Sequence, residues 1–107
     1  MRRCKRLPFK EVIRTLKATA CGPRWAIIKA LSSGELSTNE IAERLEETFR
    51  RPFPRSTLYY HLSVLRDIGI IELANYRESG PGAPEKVWRL KAKKIVVNLV
   101  DGTISFE

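Results

Sequence analysis

Cysteine, histidine and long apolar runs are scarce in this 107-residue sequence, and each shortage excludes a class of function. The two cysteines, Cys4 and Cys21, are too few for a disulfide framework, and one histidine, His61, leaves no ligand set for zinc or haem. No apolar run approaches the ~18 residues that a membrane span needs. The basic N-terminus lacks the apolar core of a secretory signal. We therefore expect a cytoplasmic protein with reduced thiols, no metal or other cofactor, and no membrane partner.

Motifs of catalysis are missing as well. The sequence has no phosphate-binding glycine loop, no nucleophile elbow and no metal cluster. Glu46 and Glu47 are adjacent on a helical segment, so their side chains diverge and cannot act as a catalytic pair. No Asp, Ser or Cys stands in a motif that would make His61 a catalytic base. We expect that the protein is not an enzyme.

Positive charge is concentrated at the N-terminus. The formal net charge is +8, and residues 1–24 carry eight Arg or Lys against the single acid Glu11. The rest of the chain is almost neutral. A basic arm ahead of a nearly neutral domain favours a polyanionic partner, most commonly nucleic acid, because neutralised phosphates release counterions. The alternative is a solubilising tail.

Four helices are predicted from apolar periodicity and end signals. The first carries its apolar stripe over residues 9–20, and the second opens at Pro23 and stops near Gly34. A capping box marks the start of the third, where Ser37 is followed three residues later by Glu40. The fourth runs from about residue 56 to 68 and ends at a glycine. Its core face consists of Leu58, Leu62 and Leu65.

After residue 69 the sequence changes to the period of strands. Segments 70–76 and 86–90 flank a Gly/Pro-rich loop, which predicts a hairpin. A second hairpin is predicted over 95–107 around the dipeptide Asp101-Gly102. A two-residue turn there would pair Leu99 with Ile104 and Val97 with Phe106. The predicted fold class is mainly α with small β-hairpins: four helices, a β-wing and a C-terminal β-hairpin.

This order of elements is that of a winged helix-turn-helix. The major groove of B-DNA admits one α-helix. Packing the leucine side of the fourth helix inward leaves the opposite side free to meet bases, while the wing reaches the DNA backbone or minor groove. We divide the chain into a basic flexible arm (1–8), a winged helix-turn-helix DNA-binding domain (9–94) and a C-terminal hairpin (95–107) that could serve dimerisation.

Three patterns within residues 24–90 also carry a family resemblance. They are Arg24-x-x-Ile27-Ile28-x-Ala30-Leu31, Leu36-Ser37-x-x-Glu40-Ile41-Ala42-x-x-Leu45, and Ser56-Thr57-Leu58-x-x-His61-Leu62-x-x-Leu65-Arg66-x-x-Gly69-Ile70-Ile71. The patterns are similar to those of the ArsR-like winged-helix regulators, and the stretch 56–59 also resembles the PadR-like regulators. The resemblance implies a sequence-specific transcriptional regulator that binds double-stranded DNA as a homodimer and reads an inverted repeat.

The sequence departs from the ArsR-like pattern at two places. Metal-sensing members carry a Cys-x-Cys pair in the helix before the recognition helix, and this chain has no cysteine there, so we expect that metal site to be absent. Typical members end in a dimerisation helix, whereas this chain ends in β-branched residues and an Asp-Gly turn. We therefore expect the first helix and the C-terminal hairpin to form the dimer interface. The sequence does not identify an effector.

The candidate DNA contacts lie on the outer side of the fourth helix, near 56–68, and beside the wing tip, near 77–86. Arginine can reach a guanine edge or a phosphate, and hydroxyl groups can serve either. The alternative for the two tyrosines is packing in the core or at a subunit interface. The candidates are Arg55, Ser56, Thr57, Tyr59, Tyr60, Ser63, Arg77 and Lys86.

Three further side chains are expected to be structural. We expect His61 to be half-buried with a hydrogen-bond partner, and Trp25 and Trp88 to pack in the core or at an interface. A winged-helix protein–protein interaction module without DNA readout is the alternative function, because a fold does not determine a function. A DNA-binding protein loses affinity as salt rises, and the slope of log K against log salt is about −0.9 for each phosphate contacted. A protein–protein module would show no such dependence.

Overall fold

Four helices and six strands make up the part of the chain that the structure describes, which is residues 3–6, 9–78 and 80–107. The structure is a computed structural model, and its side chains are described from residue 12 onward. The helices are α1 (Phe9–Thr19), α2 (Gly22–Leu31), α3 (Thr38–Phe49) and α4 (Arg55–Ile68). The strands are β1 (Arg3–Arg6), β2 (Leu36–Ser37), β3 (Ile71–Arg77), β4 (Glu85–Leu90), β5 (Ile95–Asn98) and β6 (Thr103–Phe106). The predicted fold class of four helices, a wing and a C-terminal hairpin is confirmed.

The ends of α3 and α4 follow the signals in the sequence. The Ser37 hydroxyl accepts a hydrogen bond from the Glu40 amide at 3.2 Å, and the Glu40 carboxylate accepts one from the Ser37 amide at 2.9 Å. This reciprocal pair is the predicted capping box. At the other end of the helix-turn-helix, Gly69 has φ of 98°, and the amides of Gly69 and Ile70 both donate to the Leu65 carbonyl. The glycine thus ends α4 with a left-handed turn into β3.

The core lies between α2, α3, α4 and the wing sheet. Leu58, Leu62 and Leu65 are buried there, as predicted, together with Ile27 and Ile41. Replacing one such leucine with alanine would cost about 2–5 kcal/mol of stability. Trp88 is also buried, and its indole N–H donates to the Thr38 hydroxyl at 3.0 Å, which confirms the expectation that it packs in the core. Among the described residues, none of the helices has the length and apolar character needed to span a bilayer.

The wing sheet has the strand order β2-β4-β3, and all its pairs are antiparallel. β3 and β4 pair from Ile71 with Leu90 to Arg77 with Glu85. The two-residue strand β2 was not predicted, because two residues show no period. Its pairing of Leu36 with Trp88 attaches the start of α3 to the wing.

A second antiparallel sheet has the order β1-β6-β5. In it a strand over Arg3–Arg6 takes the place of the flexible arm that the sequence suggested for residues 1–8. Pairing with β1 provides hydrogen-bond partners for backbone groups of β6 that would otherwise form an open edge. The basic composition of residues 1–8 does not indicate this pairing. Positions 1, 2, 7 and 8 of the predicted arm lie outside the described residues.

The C-terminal hairpin exists, but its predicted register is wrong. Asn98 pairs with Thr103 and Val97 with Ile104, so the turn has four residues instead of two. The Asn98 side-chain oxygen accepts hydrogen bonds from the amides of Val100 and Asp101, each at 3.0 Å, and this closes the turn early. As a result, Leu99 does not face Ile104. Leu99 and Val100 project at the tip, where they are 90% and 94% exposed.

Arg50 ends α3 in the left-handed conformation, with φ of 55°. In the folded protein, that conformation costs a residue with a Cβ about 1–2 kcal/mol, whereas glycine adopts it freely. In the unfolded chain, glycine has more conformational entropy, which offsets about 0.4–1 kcal/mol of this difference. We therefore expect Arg50→Gly to raise the free energy of unfolding by about 0.5–1 kcal/mol. Urea unfolding would measure the change.

The matched control is Arg44→Gly, at an exposed position inside the same helix. There glycine only weakens the helix, and we expect a loss of about 1 kcal/mol. A loss of stability in both variants would contradict the assignment of strain to Arg50.

Candidate nucleic-acid interface

The face of α4 opposite the leucines is uncovered by the rest of the described chain. Tyr59 and Tyr60 are 52% and 60% exposed, and residues 55–57 are exposed as well. Ser63, one turn further along, is half-buried, and its hydroxyl donates to the Tyr60 carbonyl at 2.8 Å. The structure thus brings the six α4 candidates together along one side of a single helix. Neither tyrosine packs in the core, which removes that part of the alternative and leaves a subunit interface open.

Contacts between residues distant in sequence join the starts of α3, α4 and β4. The Arg55 guanidinium donates to the Asn39 side-chain oxygen at 2.6 Å. The Asn39 amide in turn donates to the Glu85 carboxylate at 2.8 Å. Arg55 is therefore held on the side of α4 that faces the wing, with other N–H groups left to donate. Sequence reasoning missed Asn39 and Glu85 because no local pattern indicates bonds across 16 and 46 positions.

The wing candidates Arg77 and Lys86 differ in their surroundings. Arg77 lies at the end of β3, and its guanidinium pairs with the Glu40 carboxylate at 2.9 Å. The oxygen that caps α3 therefore also receives the wing arginine. Lys86 is exposed on β4 opposite Tyr76, an exposed aromatic residue that sequence reasoning did not single out. Arg77 thus fastens the wing to α3, while Lys86 faces solvent.

Hydrogen bonds hold Glu40 in its charged form. The Ser37 backbone amide is the largest cause, followed by Arg77, and together they lower the pKa of the Glu40 carboxyl from its ordinary value of 4.5. The lowering shows that the capping box and the wing contact both stabilise the carboxylate.

His61 lies behind the exposed face and confirms the structural expectation. It is buried, and its Nδ1 accepts a hydrogen bond from the Arg24 Nε at 2.9 Å. Burial lowers the pKa of His61 below its ordinary value of 6.5, and the positive charge of Arg24 lowers it further. In the described part of the chain, no three His, Cys, Asp or Glu side chains group as metal ligands would.

Known proteins share this fold. A family model described as a helix-turn-helix domain matches residues 24–74. Reduced HlyU from Vibrio cholerae is 29% identical, with 78% of this chain and 75% of HlyU covered at a TM-score of 0.56. The Mb0332 fragment from Mycobacterium bovis is 26% identical, with 77% of this chain and 65% of that fragment covered at a TM-score of 0.55. It is described as a homodimeric winged helix-turn-helix DNA-binding domain and a possible ArsR-family transcriptional regulator. The chain thus contains a helix-turn-helix domain and is similar to a protein described as a possible ArsR-family regulator.

One further structure shows a shared fold alone, and one search found no match. Rv0081 of Mycobacterium tuberculosis, at 21% identity over 78% of this chain and 73% of that one, shares the fold with a TM-score of 0.59. A search of curated proteins found no match. These similarities confirm the resemblance drawn from the sequence and support the expectation that the protein is not an enzyme.

The segment that the family model matches runs from α2 into β3. It therefore includes the whole exposed face of α4, the second helix of the helix-turn-helix. It stops before the wing tip and before the C-terminal hairpin. The roles of individual contact residues stay predictions.

Glu40→Gln separates the two roles of this carboxylate, because glutamine keeps an oxygen for the Ser37 amide but carries no charge. A group with a lowered pKa stabilises the fold above its unfolded value and loses that contribution as pH falls through its folded value. We therefore expect the wild type to lose stability relative to Glu40→Gln as pH falls from about 6 to about 3.

Urea unfolding at a series of pH values measures this difference. Glu47→Gln, at an exposed position on the same helix, is the control for removing one carboxylate. A difference between wild type and Glu40→Gln that stays constant over this range would contradict the effect of the Glu40 charge.

Proposed function

We propose that the protein binds a specific double-stranded DNA operator as a homodimer and so regulates transcription. The observation that carries this proposal is the uncovered Tyr59–Tyr60 face of α4, backed by three buried leucines. A helix with one side in the core and the other bare fits the major groove. The net charge of +8 attracts the duplex. Such a regulator would act in the cytoplasm, and the neighbour described as a DNA-binding domain supports this role over a protein–protein module.

The proposed contacts divide by position. Arg55 stands at the start of α4, where recognition helices meet base edges, and its tie to Asn39 presents the guanidinium toward the wing side. The hydroxyl groups of Ser56, Thr57, Tyr59, Tyr60 and Ser63 serve phosphates or bases along the same face. Arg77 and Lys86 reach the backbone beside the wing, where a phosphate can replace Glu40 as the partner of Arg77.

Arg55→Ala tests the reading of bases by α4. Once an operator has been selected from a random DNA pool, we expect the variant to bind it about 1–3 kcal/mol more weakly and with less preference over a scrambled duplex. Fluorescence anisotropy on both duplexes measures the two quantities. Arg44→Ala on the exposed side of α3 is the matched control. An equal loss on both duplexes would instead show that Arg55 contacts phosphate.

A second uncovered surface supports the homodimer. In α1 the polar Thr15 and Thr19 face inward, while Leu16, which belongs to the predicted apolar stripe, is 41% exposed. Trp25 on α2 is 60% exposed and therefore does not pack in the core of its own chain. Both line an open cavity of about 240 Å³ that also includes Ile28 and Ile95. Contiguous exposed apolar side chains of this kind mark an interface.

The homodimer would use this surface together with the C-terminal hairpin. The hairpin belongs to the same region, since Ile95 of β5 lines the cavity, and its tip presents Leu99 and Val100. A two-fold dimer places two copies of α4 about 34 Å apart, which is one turn of DNA. The operator would then be an inverted repeat.

Leu16→Arg places a charge in the proposed interface without touching the buried side of α1. We expect the wild type to sediment with twice the mass of one chain and the variant with the mass of one chain, because the arginine would be buried without a partner. Lys17→Ala is the matched control. Trp25 gives a second measurement: its emission shifts to the blue on dimerisation, while Trp88 is buried in either state. A wild type that is monomeric at all concentrations would contradict the dimer.

A further inference from the structure

Arg24 contacts two other helices through one guanidinium. It lies in the first turn of α2, and its Nη1 donates to the carbonyl of Ala18, near the end of α1, at 2.9 Å. Its Nε donates to Nδ1 of His61 on α4 at 2.9 Å. Its central carbon lies 5.5 Å from the centroid of the Tyr60 ring. No local pattern in the sequence indicates these contacts, and neither the capping networks nor the proposed DNA contacts include them.

We propose that Arg24 is a positioning residue that holds the Tyr60 ring on the DNA-reading face of α4 and ties that helix to α1, and that it does so only while His61 is neutral. The inference rests on the proposed function, in which α4 reads DNA and α1 belongs to the dimer interface. Arg24 acts through Tyr60 and does not itself read bases.

The planar guanidinium is suited to this task. It presents several N–H donors in a fixed fork and also stacks on aromatic rings, whereas the lysine ammonium is a compact charge on a flexible stem. The Tyr60 ring is 60% exposed, yet it lies against Arg24 on one side and 5.7 Å from the His61 ring centroid. A side chain held in this way loses less conformational entropy when it binds, so the contact increases affinity by preorganisation.

His61 must accept a hydrogen bond at Nδ1, and this defines its protonation state. A neutral ring that accepts at Nδ1 carries its hydrogen on Nε2. Protonation at Nδ1 removes the acceptor and places a positive charge against the guanidinium. The Arg24–His61 bond then breaks, and Tyr60 loses its support.

The surroundings of His61 work in the same direction. Tyr60 is the neighbour of His61 on α4, and the centroid of the uncharged Phe53 ring lies 6.3 Å from the centroid of the His61 ring. Arg24 on α2 is the charged group bonded to His61. Further out, Arg14 and Lys17 on α1 line a groove together with Arg24, and the Arg51 guanidinium lies over the Phe53 ring. Burial and the charge of Arg24 lower the pKa of His61, so the neutral form persists to a lower pH than in an ordinary histidine.

The sign of the resulting pH effect is diagnostic. General electrostatics strengthens DNA binding as pH falls, because the protein becomes more cationic. The Arg24–His61–Tyr60 arrangement predicts the opposite for the specific complex. Its affinity falls once His61 takes up a proton.

The experiment measures the affinity of the full-length protein for its selected operator and for a scrambled duplex, by fluorescence anisotropy from about pH 7.5 to about pH 5.0. We expect the wild type to lose about five- to tenfold in operator affinity at the acid end. Arg24→Lys should show a similar loss already at neutral pH, with little further change on acidification. His61→Asn, whose amide supplies an acceptor that does not titrate, should have a flat pH profile whatever its affinity at neutral pH. Lys29→Gln, exposed on the same helix, should keep the wild-type profile.

Two results would overturn the inference alone. One is specific wild-type binding that strengthens steadily as pH falls, and the other is an Arg24→Lys variant with the affinity and pH profile of the wild type. The His61→Asn profile decides the matter if Arg24→Lys does not fold, which urea unfolding would show. A wild type that does not distinguish the operator from the scrambled duplex at any pH overturns the proposed function, and this inference with it.

Discussion

The packing of three leucines on one side of α4 is the constraint on which the rest of the structure depends. Leu58, Leu62 and Leu65 are almost completely buried, and a helix that turns 100° per residue must then direct Tyr59 and Tyr60 outward. The same helix ends at Gly69 in a turn that sends the chain directly into β3. The exposed face and the wing are therefore oriented by one core, and neither can move far without disturbing it.

Polar contacts around this core hold two arginines in place. Arg55 at the start of α4 donates to the Asn39 amide oxygen, and Arg77, at the end of β3 beside the wing tip, is partly neutralised by the Glu40 carboxylate. Exposed pairs such as Arg77–Glu40 contribute only about 0.2–1 kcal/mol each. Under the proposed function, a phosphate would therefore replace the protein partner at small cost. The two arginines would be held in place in the free protein and would still be available to a duplex.

The uncovered surface around Leu16 and Trp25 is separate from the exposed Tyr59–Tyr60 face of α4. Arg24 connects the helices that carry these two surfaces, since it donates to the Ala18 carbonyl near the end of α1 and to His61 on α4. The chain ends in a hairpin that pairs with a third strand, whereas the ArsR-like resemblance would imply a dimerisation helix at this place.

Short-range patterns determined much of this protein. The capping box of Ser37 and Glu40, the glycine end of α4 and the leucine stripe each depend on residues within a few positions of one another, so sequence alone predicted them correctly. The outward face of α4 followed, because it is the geometric complement of the stripe. The burial of Trp88 and the structural role of His61 were also predictable, but their partners were not.

What only the tertiary structure decided concerns residues far apart in the chain. The strand at Arg3–Arg6, the contact of Arg77 with Glu40 and the position of Arg24 against His61 join segments separated by tens of residues, and local periodicity carries no information on them. The register of the last hairpin depended on Asn98, whose side-chain oxygen accepts hydrogen bonds from two amides of the turn. These bonds favour a four-residue turn over the two-residue turn that the Asp-Gly dipeptide indicated. Local propensity is read from neighbours in sequence, whereas these features arise when the packed core brings distant polar groups within hydrogen-bond distance.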